Sequence, residues 1–524
     1  MTVMNKRMKF TQSALQPEGN QWLLSRAAAQ AAHESRRNGL GSFHAVGDVT
    51  LLRILSFFGP RELAMMCMTS HTFSAFASYE EFWQLACLRR AEDAGFTDFH
   101  RHPFSGYFYG SWKKSFLAGQ NSRSSNANTG SNGVSESSLG VDMTRVAVYS
   151  DLLYHSYELV HGSSAFGSVL KGPPCLRLAQ CEIPDVAAFT AKYEAGIGRP
   201  VLLERAGAAS SNNKGWDEEM LRKTVGDQVF HAGGVNFKLK DYFSYARTNN
   251  DIQPLYLFDP TFGNSTPELL KLYEPPEYFR DDLFSLLEST GARPDYRWLL
   301  IGGARSGQAW HLDPNGTSAW SLTLRGRKRW LFFPPNVRPP GVVEGDGGEC
   351  VTPLYLEEWA REFYKEACTT PGFCECETNE GDVMYVPRGW WHMVLNVAPI
   401  TIAVSQHFIS PTGLYNTLKT LREAPHEISG VDRGLAPRTA DGALMADAAE
   451  SDHIRRREVG LAVHNRLIAA LKEHRPAVLA AAEEDLQRLQ RKNEGSSATA
   501  IVPCRKEQEP EVQFSFNFEG NNFE

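Results

Sequence analysis

The chain contains 524 residues, which exceeds the size of one ordinary hydrophobic core and predicts about two to four domains. Its 42% hydrophobic and 22% charged residues are typical of a globular protein, and the formal net charge of -7 argues against a strongly basic nucleic-acid-binding protein. Because no apolar run approaches the roughly 20 residues of a membrane span and the nine cysteines are scattered, we expect an intracellular protein without a membrane partner.

The first part of the chain changes character near residue 45. Residues 1–44 are polar, and we expect weak order there with one short helix near residues 22–32. In "GDVTLLRILSFFGPRELAMMC", apolar residues recur at helical spacing, Gly59-Pro60 interrupts the first helix, and a second helix begins near Leu63. Aromatic residues then supply a compact core: Phe73, Phe76, Phe82 and Trp83.

This helical order resembles an F-box over residues 45–92, within a predicted domain of residues 45–118. The sequence departs from that family at its start, where Gly47-Asp48-Val49 replaces the usual Leu-Pro. A plain helical bundle would give the same pattern. The resemblance implies binding to the Skp adaptor of cullin-RING ubiquitin ligases, with Leu51 and Ile54 as apolar anchors.

A polar stretch then separates the helical region from a region of short strands. Residues 119–141, which begin "GQNSRSSNANTG", predict a flexible linker. In residues 142–409, runs such as "YRWLLIGG", "AWSLTLRG" and "DVMYVPRG" alternate with turns, which predicts an antiparallel sandwich or barrel. A helix over residues 355–367 interrupts the strands, and Cys374 and Cys376 are better explained as strand residues than as a zinc pair.

A candidate metal site lies in the strand region. In "WHLDPNG", His311 and Asp313 are two residues apart at the end of a strand, so their side chains point to the same side. His392 in "PRGWWHMVLN" supplies a third ligand after a turn, and two histidines with one carboxylate form the facial triad that holds non-haem Fe(II). The alternative is that each histidine is a satisfied core residue, because His-x-Asp often occurs by chance.

A lysine near this site predicts an anionic ligand. Gly326 turns a hairpin that brings Lys328 and Trp330 back beside the metal-bearing segment. A buried lysine requires an anion, and a dicarboxylate cosubstrate would place its distal carboxylate on Lys328 while its other end reaches the iron.

The region from about residue 148 to residue 408 resembles the Jumonji C oxygenases through "PLYLFDPTFG", "HLDPNGTSAWSLTLRGRKRWLFFPP" and "GDVMYVPRGWWHMVLN". The match is closest to the branch that contains a nuclear protein-lysine hydroxylase once called the phosphatidylserine receptor, and to plant proteins that fuse an F-box to such a domain. The resemblance implies an α+β fold. Its centre is a double-stranded β-helix, a jelly-roll or cupin barrel, with an N-terminal all-α F-box and a C-terminal helical region.

The same resemblance assigns roles residue by residue. It implies that iron is bound by His311, Asp313 and His392, and that the distal carboxylate of 2-oxoglutarate is bound by Lys328 and Tyr256. The remaining pocket positions implied by the family are Ser405, where the family has threonine, Asn396, a pocket asparagine, and Ser321, where this branch carries asparagine. The change at Ser321 removes an amide and bears on cosubstrate binding or on the substrate entrance.

The implied activity consumes 2-oxoglutarate and O2 at Fe(II), releases succinate and CO2, and oxidises a C–H bond of a protein side chain. By resemblance the reaction is lysyl hydroxylation or N-methyl demethylation, the substrate includes histones or RNA-processing factors, and the location is the nucleus and/or the cytoplasm. Two alternatives remain. One is a ubiquitin-ligase substrate receptor whose barrel only binds its target, and the other is a chromatin-bound regulator that uses both parts.

The last part of the chain is predicted to be helical over residues 410–492, with leucines at amphipathic spacing. These helices form either a homodimer interface, as the resemblance implies, or a layer packed on the barrel. The tail of residues 493–524 is polar, and we expect it to be disordered.

Overall fold

A computed structural model describes residues 14–20, 25–93, 108–124, 147–345, 350–352, 354–432, 435 and 448–495. The chain divides into two compact units, one of residues 1–167 and 235–254 and the other of residues 168–234 and 255–524. No helix among the described residues is long and apolar enough to cross a membrane.

The helices, in chain order, are α1 (Arg26–Leu40), α2 (Asp48–Leu55), α3 (Pro60–Cys67), α4 (His71–Ala77), α5 (Glu80–Asp93), α6 (Trp112–Ser124), α7 (Asp151–His161), α8 (Val186–Phe189), α9 (Ala208–Ser211), α10 (Glu218–Thr224), α11 (Leu239–Thr248), α12 (Phe262–Ser265), α13 (Leu356–Ala367), α14 (Leu414–Glu423), α15 (Ala448–His474) and α16 (Pro476–Gly495). The strands are β1 (Leu15–Gln16), β2 (Val148–Tyr149), β3 (Leu176–Leu178), β4 (Val201–Leu203), β5 (Val229–Ala232), β6 (Val235–Lys238), β7 (Leu257–Asp259), β8 (Arg297–Gly303), β9 (Gly307–His311), β10 (Ser318–Arg325), β11 (Lys328–Phe333), β12 (Val343–Glu344), β13 (Cys350–Val351), β14 (Cys374–Thr378), β15 (Val383–Val386), β16 (Trp391–Asn396) and β17 (Ile400–Phe408).

The first unit is mainly helical. Helix α1 begins after Ser25, whose hydroxyl caps Ala28 N, and it continues to Leu40, well beyond the short helix expected near residues 22–32. Helix α3 begins at Pro60, which suits a first helical position because proline has no N–H to donate. The core of the first unit contains residues of α2 to α5: Leu51, Leu55, Leu63, Phe73, Phe76 and Trp83. Phe82, expected in this core, is half-buried.

The first unit also contains a segment that lies far along the chain. The Trp112 indole of α6 donates to Asp251 Oδ1 at 3.0 Å and packs at 5.5 Å on the ring of Tyr245 in α11. The first unit thus extends past residue 142, where the sequence predicts the start of the strand domain. Long-range aromatic contacts such as these leave no mark in a local sequence pattern. Helix α6 also extends through Ser124, so the start of the expected linker is helical, while residues 125–146 lie outside the described residues.

The second unit is built on two sheets. Within this unit the larger sheet has the strand order β3-β4-β15-β10-β17-β8-β7-β5 and is mixed, because β3 and β4 are parallel. The smaller is antiparallel, with the order β14-β11-β16-β9. The α+β class expected from the sequence is confirmed, and the arrangement is consistent with a jelly roll. Helix α13 interrupts the strands where a helix was expected.

The C-terminal helices of this unit pack within the chain. Apolar residues of α15 and α16 are buried against α14 and the turn of residues 283–290. The buried residues of α15 and α16 are Val459, Val463, Leu467, Leu471, Leu479, Ala482 and Leu486. The expected tail from residue 493 lies outside the described residues from residue 496 onward.

A candidate metal centre and its pocket

The chain brings the three predicted metal ligands together at the edge of the smaller sheet. His311, the last residue of β9, pairs with His392 of β16. One ligand atom from each of these histidines and one from Asp313 lie within 4.8 Å of one another. His392 Nε2 is 3.6 Å from Asp313 Oδ1, and the two imidazole centroids are 4.0 Å apart.

Asp313 lies just beyond the strand rather than on it. It precedes the short turn Pro314–Gly316, in which Asn315 has φ 61°. Because proline cannot donate to the strand ladder, β9 ends before this turn. The backbone of Asp313 is still extended, with φ -65° and ψ 138°, so its side chain stays on the same side as His311.

Backbone contacts fix the orientation of both imidazoles. His311 Nδ1 lies 2.8 Å from the carbonyl of Ala309, and His392 Nδ1 lies 3.1 Å from the carbonyl of Trp390. Since a carbonyl only accepts, each Nδ1 donates to its carbonyl, which leaves each Nε2 as the nitrogen that can bind a metal. Burial and the neighbouring His392 lower the pKa of His311 to about 3, so it is neutral at physiological pH.

The carboxylate of Asp313 is buried and charged. Burial alone would raise its pKa, but the neighbouring His407 and His392 hold that pKa well below the usual range. His407 Nε2 is 3.3 Å from Oδ1, whereas Oδ2 has no hydrogen-bond partner among the described residues. Two imidazole Nε2 atoms and a carboxylate with an unpaired oxygen fit a divalent transition metal such as Fe(II).

A buried cation lies further inside the same unit. Lys328, the first residue of β11, is 1% exposed, and its ammonium lies 5.7 Å from the ring centroid of Tyr256 and 5.6 Å from that of Trp330. Among the described residues, no carboxylate lies within 4.0 Å of this ammonium. Burial lowers the pKa of Lys328 to about 7, because the charged form lacks a compensating anion.

Polar atoms without partners surround this part of the unit. Asn396 pairs with Lys328 across β11 and β16, and its Nδ2 donates to Ser306 Oγ at 2.9 Å, while its Oδ1 has no partner among the described residues. The Tyr256 hydroxyl is likewise unpaired there, and burial raises its pKa, so it stays protonated as a donor. A bound carboxylate would satisfy both the lysine and the tyrosine hydroxyl.

The two serines of the predicted site face each other across β10 and β17, where Ser321 pairs with Ser405. The Ser405 hydroxyl donates to the carbonyl of Trp320 at 2.9 Å rather than to another predicted pocket side chain. The Ser321 hydroxyl is buried and has no partner among the described residues. An unpaired buried hydroxyl is costly, so Ser321 is available to a ligand or to water.

Sequence reasoning missed His407, Gly302 and Ser306. A Cβ at Gly302 would overlap Ser306 Oγ, Asn396 Nδ2 and the Tyr256 ring, so glycine is required where these side chains converge. The run "GGARSG" carried a weak signal for close backbone approach, whereas nothing in the local sequence connects His407 with a residue 94 positions earlier in the chain.

Comparison with known proteins agrees with this geometry. Residues 198–412 match the family model of a cupin-like domain. The chain is 36% identical over 392 residues to the arginine-specific demethylase JMJ22 of Arabidopsis thaliana, an alignment that covers 74% of this chain and 72% of that protein.

Two further relatives match over shorter stretches. The bifunctional arginine demethylase and lysyl-hydroxylase psr-1 of Caenorhabditis briggsae is 36% identical over 247 residues, which is 43% of this chain and 60% of that protein. The 2-oxoglutarate and iron-dependent oxygenase JMJD4 of Danio rerio is 28% identical over 182 residues, which is 34% of this chain and 41% of that protein. The aligned part is therefore less than two thirds of either of these two relatives.

Proposed function

The chain belongs to the JmjC/cupin family of iron- and 2-oxoglutarate-dependent oxygenases, and from this premise we propose that it oxidises a lysyl or N-methylated side chain of another protein. The observation that carries the proposal is the convergence of His311, Asp313 and His392 in the same unit as Lys328, a buried lysine with no carboxylate partner among the described residues.

The residues present fit the two groups that the reaction requires. His311, Asp313 and His392 would hold Fe(II) on one face, and Lys328 with the Tyr256 hydroxyl would hold the distal carboxylate of 2-oxoglutarate. Bound iron with 2-oxoglutarate and O2 supplies the oxidation of a C–H bond, with release of succinate and CO2. The protein orients these groups and excludes water.

Apolar side chains near Lys328 support the exclusion of water from the proposed site. Tyr256, Trp298, Leu300 and Ala403 form one buried cluster, and Lys328 lies over the Tyr256 ring. A site walled by such residues has a low dielectric, which strengthens the charge-assisted bond between an ammonium and a carboxylate.

The names of the relatives favour a basic side chain as the substrate. One relative is named an arginine-specific demethylase and another a bifunctional arginine demethylase and lysyl-hydroxylase. Both reactions begin with hydroxylation of a C–H bond. A lysyl carbon keeps the hydroxyl, whereas a hydroxylated N-methyl carbon leaves as formaldehyde, so the reaction depends on which carbon the pocket places nearest the iron.

An unbiased substrate search tests this proposal. The protein is incubated with Fe(II), 2-oxoglutarate and cell lysate, and peptides are searched by mass spectrometry for gains of about 16 Da or losses of about 14 Da, which correspond to one oxygen or one methyl at a metal oxygenase. Asp313→Ala removes the anionic ligand and serves as the control, which we expect to bind little iron and to yield neither change nor succinate. Succinate release by Asp313→Ala equal to that of the parent would contradict the proposal.

The helices of residues 45–92, which resemble an F-box, support a second proposed function, recruitment of the Skp adaptor. Helices α2 and α3 bury Leu51, Leu55 and Leu63, whereas Phe57 and Met68, which follow the ends of these helices, are 80% and 86% exposed. Large apolar side chains that are exposed in the free protein are available as anchors of such a contact. Leu51, expected from the sequence as an anchor of that contact, is 1% exposed and belongs to the core instead, and Ile54 is half-buried.

The exposed residues make a sharper test than the buried ones. We expect Phe57→Asp combined with Met68→Asp to abolish co-purification of the Skp adaptor without lowering the melting temperature, because neither side chain contributes to the core. Val169→Asp, at a residue 70% exposed in the other unit, is the matched control and should leave binding unchanged. Adaptor binding by the double variant at the parent level would exclude this surface as the contact.

A further inference from the structure

We propose that His407 is a positioning residue that holds the carboxylate of Asp313 in the orientation required for metal binding, an inference that rests on the proposed iron site. His407 lies on β17, in the larger sheet, whereas His311 and His392 lie in the smaller one. Its Nε2 approaches Asp313 Oδ1 at 3.3 Å, which is closer than the 3.6 Å approach of His392 Nε2 to the same oxygen.

The turn that follows Asp313 does not fix the orientation of its carboxylate. Asp313 occupies the position before a short turn, but its side chain makes no capping hydrogen bond to that turn. Within the described part of the chain, the Lys, Arg and His nitrogens found within 4.0 Å of this carboxylate belong to His392 and His407. Since His392 is itself a predicted ligand, orientation of Asp313 before metal binding depends on His407.

The ring of His407 is itself held in place. Its backbone N donates to the carbonyl of Tyr296 at 2.6 Å, and its imidazole packs on Trp298 with the ring centroids 4.3 Å apart. The side chain of His407 is 12% exposed, so few other rotamers are open to it. A fixed donor can therefore select one rotamer of Asp313.

The contact also distinguishes the two carboxylate oxygens. The N–H of His407 engages Oδ1, whereas Oδ2 has no hydrogen-bond partner among the described residues. A carboxylate held in one rotamer presents one oxygen to the metal. Because little side-chain entropy is then lost on metal binding, the metal affinity rises. His407 thus acts on the metal through Asp313.

Two substitutions separate the donor from the ring. His407→Phe keeps an aromatic ring against Trp298 but removes the N–H, whereas His407→Gln keeps an amide N–H at a similar reach. The readout is the affinity for Co(II), a spectroscopic substitute for Fe(II), together with the visible absorption of the bound Co(II). Gln406→Leu is the control. It changes the residue next to His407 and removes a comparable hydrogen bond, the 2.9 Å bond from the Gln406 side chain to the Tyr273 hydroxyl.

We expect His407→Phe to weaken Co(II) binding about tenfold or more and to change the absorption spectrum, while His407→Gln and Gln406→Leu stay near the parent. Parent-level affinity in His407→Phe, or equal losses in His407→Phe and His407→Gln, would overturn the proposal, because the donor would then not matter. Absence of Co(II) binding by the parent itself would instead contradict the proposed iron site. Thermal melts of each variant show whether it remains folded.

Discussion

At the scale of single residues, several polar atoms near Lys328 are buried without a hydrogen-bond partner among the described residues, and Lys328 itself has no carboxylate within 4.0 Å there. An ammonium that is 1% exposed and faces two aromatic rings is poorly solvated, which is why its pKa falls to about 7. Such a group is costly in the free protein and becomes favourable once an anion is bound. In the proposed site, the distal carboxylate of 2-oxoglutarate would supply that anion.

Because the proposed site places 2-oxoglutarate on Lys328, we expect cosubstrate binding to depend on pH. The free lysine loses its proton above about pH 7, whereas a bound carboxylate favours the charged form, so binding above that pH must take up a proton. We expect the affinity for 2-oxoglutarate, measured without O2 and with Mn(II) in place of iron, to fall on the order of tenfold between about pH 6 and about pH 8.

The variant Lys328→Met provides the control for this pH dependence. Because methionine cannot titrate, we expect weak binding with little change across the same pH range, at least about tenfold below the parent at low pH. The metal affinity should be preserved, since Lys328 is not among the three predicted ligands. A pH dependence as steep in Lys328→Met as in the parent would assign the titration to another group.

At the scale of elements, strands β11 and β14 carry a buried ion pair that is separate from the predicted site. Arg329 and Glu375 are 1% and 0% exposed, and Arg329 Nη2 lies 2.8 Å from Glu375 Oε2. The other oxygen of Glu375 accepts from Tyr364 of α13 at 2.7 Å and from the backbone N of Gly172 at 2.6 Å. One carboxylate thus connects a strand pair, a helix and an incoming loop.

Removal of this carboxylate should be far more damaging than loss of a surface pair. Glu375→Ala leaves a guanidinium buried without its carboxylate, so we expect a loss of about 3–5 kcal/mol in the free energy of unfolding, measured by chemical denaturation. Glu204→Ala breaks the pair with Arg177, whose side chain is 51% exposed, and should cost less than about 1 kcal/mol. Similar losses in the two variants would show that Glu375 has little structural role.

Elements were predictable where their signal is local. The strand that contains "AWSLTLR", the helix Leu356–Ala367 and the hairpin at Gly326, which has φ 77°, all follow from short-range patterns of apolar residues and turns. The convergence of His311 with His392 was predicted from ligand types and turns, and the family resemblance supported it, but the register could not be predicted because the pairing of β9 with β16 depends on the whole sheet order. His407 had no signal at all, since its contact with Asp313 joins two different sheets.

At the scale of the whole molecule, two features depend on long-range packing: the grouping of segment 235–254 and the packing of the C-terminal helices. The segment 235–254 joins the first unit through Tyr245 and Asp251, although the residues on either side of it belong to the second unit. The C-terminal helices likewise had two interpretations, a dimer interface or a layer on the barrel. Their apolar residues are buried inside one chain against α14 and residues 283–287, and dimerisation stays a prediction.

A substitution at Leu467 tests whether the apolar residues of the C-terminal helices pack within one chain. It is fully buried in α15 within the cluster that includes Phe284 and Leu418, so we expect Leu467→Ala to lower the free energy of unfolding by about 2–5 kcal/mol. Lys472→Ala, at an exposed residue on the same helix, should change it by less than about 0.5 kcal/mol.

The dependence on protein concentration then separates packing within a chain from packing between chains. Burial within one chain makes the melting temperature of both parent and Leu467→Ala independent of concentration, because unfolding does not release a subunit. An interface formed by the same residues would raise the melting temperature of the parent when the concentration is increased about tenfold, and Leu467→Ala would lose that increase. Thermal melts at the two concentrations, with sedimentation velocity on the same samples, decide between the two arrangements, and a concentration-dependent parent would contradict the expectation drawn from the buried cluster.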